Sequence, residues 1–356
     1  MSYALPHVER ITPYPVTEAA LDRSIVKLDQ NESPYPPSER VIQLLANMGE
    51  HVMRQYPDAA ASQLRETIAA HYGLSRERIV IGNGSSELIT ALFRTFIDQQ
   101  RTAVMPYPTF ALYQVAAEAA NAAIHFVPTH DDFTVDTEAL LNTDASVIAL
   151  VNPNAPTGRL LSRDEIETIV RRAPGLVCID EAYMDFAGEE HSAIPLTLEY
   201  DNLVVLRTFS KAYALSGARI GYAISSPAII RAFEKTKTTY NVSSISLALT
   251  VQAMQDQSHM LGIVTAIRTV RDRFITSLRK IGFQVIPSQT NFILCTPPAR
   301  QGCPDAPQLV HLLADNGIAI RYFNVPRLQD KVRISIGTEE QMSILLNLLH
   351  TFYPNI

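Results

Sequence analysis

The chain has 356 residues, of which 47% are hydrophobic and 19% charged, and a net charge of −6. That length exceeds one typical core and predicts two domains, while the negative balance and the lack of a Lys/Arg-rich stripe argue against nucleic acid as the main partner. Residues 1–10 lack the apolar core of a signal peptide, no run approaches bilayer-spanning length, and Cys178, Cys295 and Cys303 form no Cys-x-x-Cys pair. The expectation is a soluble cytoplasmic protein with reduced, mostly buried thiols and no metal site.

Residues 1–36 are rich in Pro and polar groups and read as an extended N-terminal arm. A helix is predicted over 62–72, capped by Ser62, with Leu64, Ile68 and Tyr72 at helical spacing and Gly73 at its end. Short apolar runs then follow at 79–81, 103–105, 147–151, 176–179, 203–206 and 220–224. Helical stretches separate several of them, notably 86–96 and 163–172. This alternation predicts an α/β domain over 37–245, a mainly parallel sheet between layers of helices. From 246 to 281 the periodicity is helical throughout, with Leu247, Val251, Met254, Leu261, Val264, Ile267, Phe274 and Leu278 on one face and Gly282 closing it. It reads as a connecting helix. Residues 282–356 mix strands (292–295, 318–321, 332–336) with helices (308–316, 339–349), as in a smaller α+β domain.

The residues with chemistry fall just past the carboxyl ends of these runs, where open α/β sheets bind ligands. Lys211 is one of six lysines, and none lies between it and Lys27. It follows the 203–206 run and Ser210; a lysine in a crowded strand-end site loses its proton, and the free amine condenses with an aldehyde. Asp180 ends another apolar run, so its carboxylate needs a cationic or hydrogen-bonded partner. A protonated pyridine nitrogen supplies one, in a charge-assisted bond worth about 1.5–3 kcal/mol. Tyr183, three residues on, is placed to reach the ring's phenolic oxygen. Gly82-Asn83-Gly84-Ser85-Ser86-Glu87 sets Ser85 and Ser86 at a helix N-terminus, a natural anion site. It lacks the third glycine of a dinucleotide fingerprint and the lysine of a P-loop. With Ser210 and Arg219 it makes a phosphate cup. Phe110 is placed to stack on a flat ring, and Asn152-Pro153-Asn154-Ala155-Pro156-Thr157-Gly158 fixes the backbone after the 147–151 run. Taken singly, each has a plainer explanation: a solvated lysine, an Asp capping a turn, a Ser-capped helix, a core aromatic. Together they are what pyridoxal phosphate requires of a protein.

In chain order these motifs resemble the fold-type I pyridoxal-phosphate aminotransferases, most closely the histidinol-phosphate aminotransferase group. The likeness includes Leu28-Asp29-Gln30-Asn31-Glu32-Ser33-Pro34, Gln55-Tyr56-Pro57-Asp58, Gly82 to Glu87 and Asn152 to Gly158. It continues through Asp180 to Phe186, Thr208 to Tyr222, Thr290-Asn291-Phe292 and Arg333 to Thr338. The resemblance implies a seven-stranded-type sheet in the large domain. It implies that Lys211 joins the cofactor as an imine and then moves the proton of a 1,3-shift, while Asp180 keeps the pyridine nitrogen protonated. Tyr183 bonds the ring oxygen, with Asn154 nearby; Phe110 stacks on the ring; Ser85, Ser86, Ser210 and Arg219 hold the phosphate. Tyr56 and the arm reach the partner's site in a homodimer. Arg333, Arg321, Tyr14 and Asn31 face the substrate. The chain departs from the family pattern at Ala155, where a second Asn is usual, at Ser86, where Asp is common, and at Thr239, where Pro is usual.

The reading favoured is amino transfer between histidinol phosphate and 2-oxoglutarate in histidine biosynthesis. Alternatives are an aromatic or broad-specificity aminotransferase, a decarboxylase of a phosphorylated amino acid, and a binding protein that has lost catalysis, which only Ala155 favours.

Overall fold

The computed structural model describes residues 3–14 and 25–354. The stretch 15–24 of the expected arm lies outside them. Twelve strands occur among the described residues: β1 (Val26–Leu28), β2 (Ile79–Asn83), β3 (Thr102–Tyr107), β4 (Ala123–Pro128), β5 (Val147–Val151), β6 (Leu176–Asp180), β7 (Leu203–Thr208), β8 (Ile220–Ser225), β9 (Gln284–Val285), β10 (Phe292–Thr296), β11 (Ile318–Tyr322) and β12 (Val332–Ser335).

Seven form one sheet in the order β2-β8-β7-β6-β5-β3-β4, parallel except for β8, which runs antiparallel to both β2 and β7. Every residue of β5, β7 and β8 is buried, as expected of strands covered on both faces. Helix Gly84–Phe96 packs on β2, β7 and β8 and against helix Pro227–Thr236. The sheet is therefore the predicted one, with β4 added. That edge strand leaves Ala123, His125 and Pro128 exposed, so it carries no continuous apolar run to betray it.

The remaining five strands form a second sheet, β1-β11-β12-β10-β9, in which only the β1–β11 pair is parallel. Strand β1 comes from the stretch read as an arm. Three residues are too short to show a period; β1 is held by pairing with β11 and by burying Leu28.

The connecting helix is also different. It divides into Ser244–Gln255 and Gln257–Ile281, with Asp256 in a non-helical conformation (φ −108°, ψ 59°). Gln257 Nε2 donates to the Met254 carbonyl (2.7 Å) and to Tyr213 Oη (3.0 Å), so side-chain bonds compensate the break. Beyond the break Val264, Ile267, Phe274 and Leu278 are buried as expected, but Leu261 is exposed and Met260 and Ile263 are buried in its place. Gly282 does end the second helix, in the left-handed region at φ 106°. At helix Ser62–Tyr72 the cap is Asp58, not Ser62: Asp58 Oδ2 accepts from Ser62 N at 2.7 Å and Oδ1 from Ala60 N at 2.9 Å. No helix among the described residues is long and apolar enough to cross a membrane.

Candidate active site

A cavity of about 400 Å³ opens between the two sheets, and both Lys211 and Asp180 line it. Asp180 is the last residue of β6, 2% exposed. Its Oδ2 accepts from Tyr113 Oη (3.0 Å) and its Oδ1 from Ala182 N (3.0 Å). Burial pushes its carboxyl up to about 6, against the pull of those two bonds. Lys211 lies three residues past β7, and its Nζ donates to the Gln30 carbonyl at 3.2 Å. Burial, then the positive charges of Arg333 and Arg219, bring its amine down to about 8; Glu32 and Asp180 oppose them. Both perturbations favour the neutral form, as a low-dielectric site should.

At one end of the cavity, helix Gly84–Phe96 presents Ser85 and Ser86 in its first turn. Two close approaches set this corner. A Cβ on Gly84, whose φ is +75°, would lie 2.6 Å from Arg219 Nη2, and one on Gly221 would lie 2.3 Å from Ser85 N. Only glycines let β8 and Arg219 approach the helix start so closely. Arg219, in the left-handed region at φ 54°, turns its guanidinium to Ser216 O (3.2 Å) and Ser210 Oγ (3.5 Å). Helix dipole, hydroxyls and guanidinium thus converge on one anion position.

At the other end, Arg321 on β11 and Arg333 on β12 are direct cross-strand partners. Two like charges so placed repel, an arrangement that an anionic ligand relieves. Phe323 holds both: its ring centroid is 5.6 Å from the Arg321 guanidinium and 5.5 Å from that of Arg333, and Phe292 lies 5.3 Å from Arg333 on its own account. Arg333 Nη2 donates to the Asp29 carbonyl (2.6 Å), while its buried Nε has no hydrogen-bond partner among the described residues. Tyr14 lines this end and meets Phe110 edge to face at 5.7 Å.

Asn154 does not line the cavity. Its Nδ2 donates to Thr157 Oγ1 (2.8 Å) and Pro108 O (3.1 Å), tying its turn to the loop after β3, and Ala155 is the residue of that turn on the cavity wall. Asn31, at φ 56°, lines the cavity as expected, while its polar atoms are hydrogen-bonded to protein partners. Tyr56 is 82% exposed, stacked on Tyr240 at 4.7 Å and absent from the cavity of its own chain. Ser85, Ser86, Phe110, Tyr183, Ser210, Arg219, Arg321 and Arg333 all line it. Sequence reasoning missed Tyr113 and Phe323. For the first, nothing local in the sequence tells that its hydroxyl reaches Asp180, 67 positions away.

The residues present fit pyridoxal phosphate. Asp180 is a buried carboxylate whose two hydrogen bonds come from neutral donors, so a pyridinium nitrogen supplies the missing cation. The cup at the helix start suits a phosphate, Phe110 offers a flat face, and Lys211 supplies an amine near neutrality.

Residues 23–349 match the family model described as aminotransferase class I and II. Curated relatives include the histidinol-phosphate aminotransferase of Microcystis aeruginosa, 37% identical over 341 residues and covering 96% of each chain. That of Clostridium botulinum is 36% identical over 341 residues, covering 95% of this chain and 94% of the relative. Among solved structures, histidinol-phosphate aminotransferase from Sinorhizobium meliloti in complex with pyridoxal-5′-phosphate superposes with a TM-score of 0.91 at 27% identity, covering 99% of this chain and 98% of the other. The chain belongs to the class I and II aminotransferase family and, within it, to the histidinol-phosphate aminotransferase family.

Proposed function

We propose that the protein is a pyridoxal-phosphate-dependent aminotransferase that passes the amino group of histidinol phosphate to 2-oxoglutarate in histidine biosynthesis. The observation that carries the substrate assignment is the cross-strand pair Arg321 and Arg333, set in the same cavity as Lys211 and Asp180. Two guanidinium groups suit a phosphate ester better than a neutral side chain.

When bound, the cofactor supplies an electron-withdrawing pyridinium ring and an aldehyde carbon to carry the amino group. Lys211 would hold the cofactor through its amine, and the same amine is placed to carry a proton between the substrate's α-carbon and the cofactor. Its lowered affinity for protons suits both tasks, since a base poised near the working pH transfers protons best. Asp180 keeps the ring nitrogen protonated, Tyr183 donates to the ring oxygen, and Phe110 covers one ring face. Ser85, Ser86, Ser210 and Arg219 hold the cofactor phosphate. Arg321, Arg333 and Tyr14 orient the donor's anionic end. The β1-containing sheet forms a second, smaller domain that brings the two arginines to the large one. The enzyme works as a cytoplasmic homodimer in which Tyr56 serves the partner's cofactor.

The test is a panel of amino donors with and without a phosphate, assayed against 2-oxoglutarate. Phosphorylated donors should turn over fastest, and Arg321→Ala should raise their KM at least about tenfold while leaving unphosphorylated donors within about twofold. A preference for aromatic amino acids throughout would reject histidinol phosphate, and carbon dioxide release without keto acid would reject transamination.

A further inference from the structure

Asn31 and Ser335 form a hydrogen-bond chain whose direction can be read from donor and acceptor counts alone. Ser335 Oγ accepts from the Asn31 backbone N–H at 2.9 Å. A hydroxyl has one proton, and that of Ser335 goes to Asn31 Oδ1, also at 2.9 Å. With its oxygen committed there, the Asn31 carboxamide presents its NH2 on the other side, where Nδ2 meets Tyr183 Oη at 2.9 Å. Asn291 Nδ2 donates to the Asn31 carbonyl at 3.0 Å and holds the residue in its left-handed conformation. Asn31 is 1% exposed, Ser335 2% and Tyr183 7%, so water does not readily substitute for any of them.

The consequence lies at Tyr183. An NH2 group cannot accept, so the phenol cannot donate to Asn31. Among the described residues no protein group takes the Tyr183 proton, and Tyr183 lines the cavity with Lys211 Nζ 5.7 Å from its ring centroid. We propose that Ser335 and Asn31 are positioning residues that force Tyr183 to donate its proton into the cavity, toward the ring oxygen of the cofactor. This rests on the proposed placement of that oxygen beside Tyr183. The arrangement matters more here than where a second donor shares the task, because Ala155 has no side-chain donor on the cavity wall. Ser335 lies two residues from Arg333 on β12, so the strand that presents the substrate-binding arginine also sets the polarity of Tyr183.

The charged groups facing Tyr183 are Arg333 on β12, Asp180 at the end of β6, and Lys211 after β7. None is altered by the two variants that test the chain. Asn31→Asp replaces the NH2 by a carboxylate oxygen that accepts from Tyr183 and so withdraws its proton from the cavity. Ser335→Ala frees the Asn31 amide to turn over.

The experiment titrates the visible absorbance of the bound cofactor against pH in the wild-type holoenzyme and both variants, and measures the cofactor's dissociation constant in each. A hydrogen bond donated to the ring oxygen stabilises the deprotonated chromophore. Losing it should therefore raise the pH of the absorbance transition, by about one unit or more in Asn31→Asp, with cofactor affinity weakened about tenfold. Ser335→Ala should move the transition the same way by less. A Ser335→Ala enzyme that binds cofactor and keeps the wild-type transition would overturn the inference, as would a downward shift in Asn31→Asp. A wild-type protein that takes up no cofactor would instead reject the underlying reading of the cavity, and this is seen before either variant is made.

Discussion

Asp180 and Lys211 are perturbed in opposite directions by one cause, the removal of water. The carboxyl is pushed up to about 6 and the amine down to about 8. For the amine the sign is simple: only the unprotonated form attacks an aldehyde, and its fraction rises with pH through the pKa. Cofactor uptake by the apoprotein, followed by stopped-flow absorbance, should therefore quicken with a midpoint near pH 8, well below the ordinary lysine range near 10.5. The same pKa carries a stability effect. Between about 8 and 10.5 the unfolded chain binds more protons at this site than the folded one, so apoprotein stability should rise with pH across that window. Tyr113 acts on the other member of the pair. Tyr113→Phe keeps the ring and removes the bond to Asp180 Oδ2, leaving a buried acceptor short of a donor at a cost of about 1–3 kcal/mol. The carboxyl should then rise further, and equilibrium dialysis should show cofactor affinity falling about tenfold or more.

Among the elements, β6 and β7 are joined on a second set of charges as well as on their backbones. Arg207 on β7, 2% exposed, bonds Glu181 (2.8 Å) just past the end of β6, Asp185 (3.2 Å) and Glu189 (2.9 Å). Glu181 is itself fully buried and also accepts from Ser192 Oγ and Ala193 N. Burial raises its carboxyl, and Arg207 opposes that. Arg207→Met should strand this carboxylate and destabilise the protein by about 3–5 kcal/mol in urea unfolding, whereas pairing it with Glu181→Gln should recover a large part. This cluster holds the backbone on which Asp180 and Lys211 stand. It was not legible in the sequence, where Arg207 and Glu181 are ordinary charges 26 positions apart.

In the whole molecule, the exposed stack of Tyr56 on Tyr240, with Met53, Leu45 and Ile42 exposed nearby in the chain, marks a face suited to a second copy. If Tyr56 serves the partner's cofactor, mixed dimers of Lys211→Ala and Tyr56→Phe protomers contain one complete site. Each homodimer should be impaired, and the mixture should recover up to about half of wild-type activity per mixed dimer. A Tyr56 acting within its own chain would give no recovery on mixing.

The amino-acid sequence by itself determined six of the seven strands of the large sheet and the position of its chemistry. Apolar runs of three to five residues identify strands buried on both faces, and polar residues soon after them must lie at the sheet's carboxyl edge. That logic places Lys211, Asp180, Ser85 and Ser210 without knowledge of any distant contact. The tertiary structure decided what depends on partners far along the chain: that β1 joins the small sheet, that Asp256 breaks the long helix, and that Asn154 turns away while Ala155 faces the cavity. It also decided which atom of Asn31 meets Tyr183, since the orientation of an amide is set by Ser335, 304 residues away, and not by its neighbours in sequence.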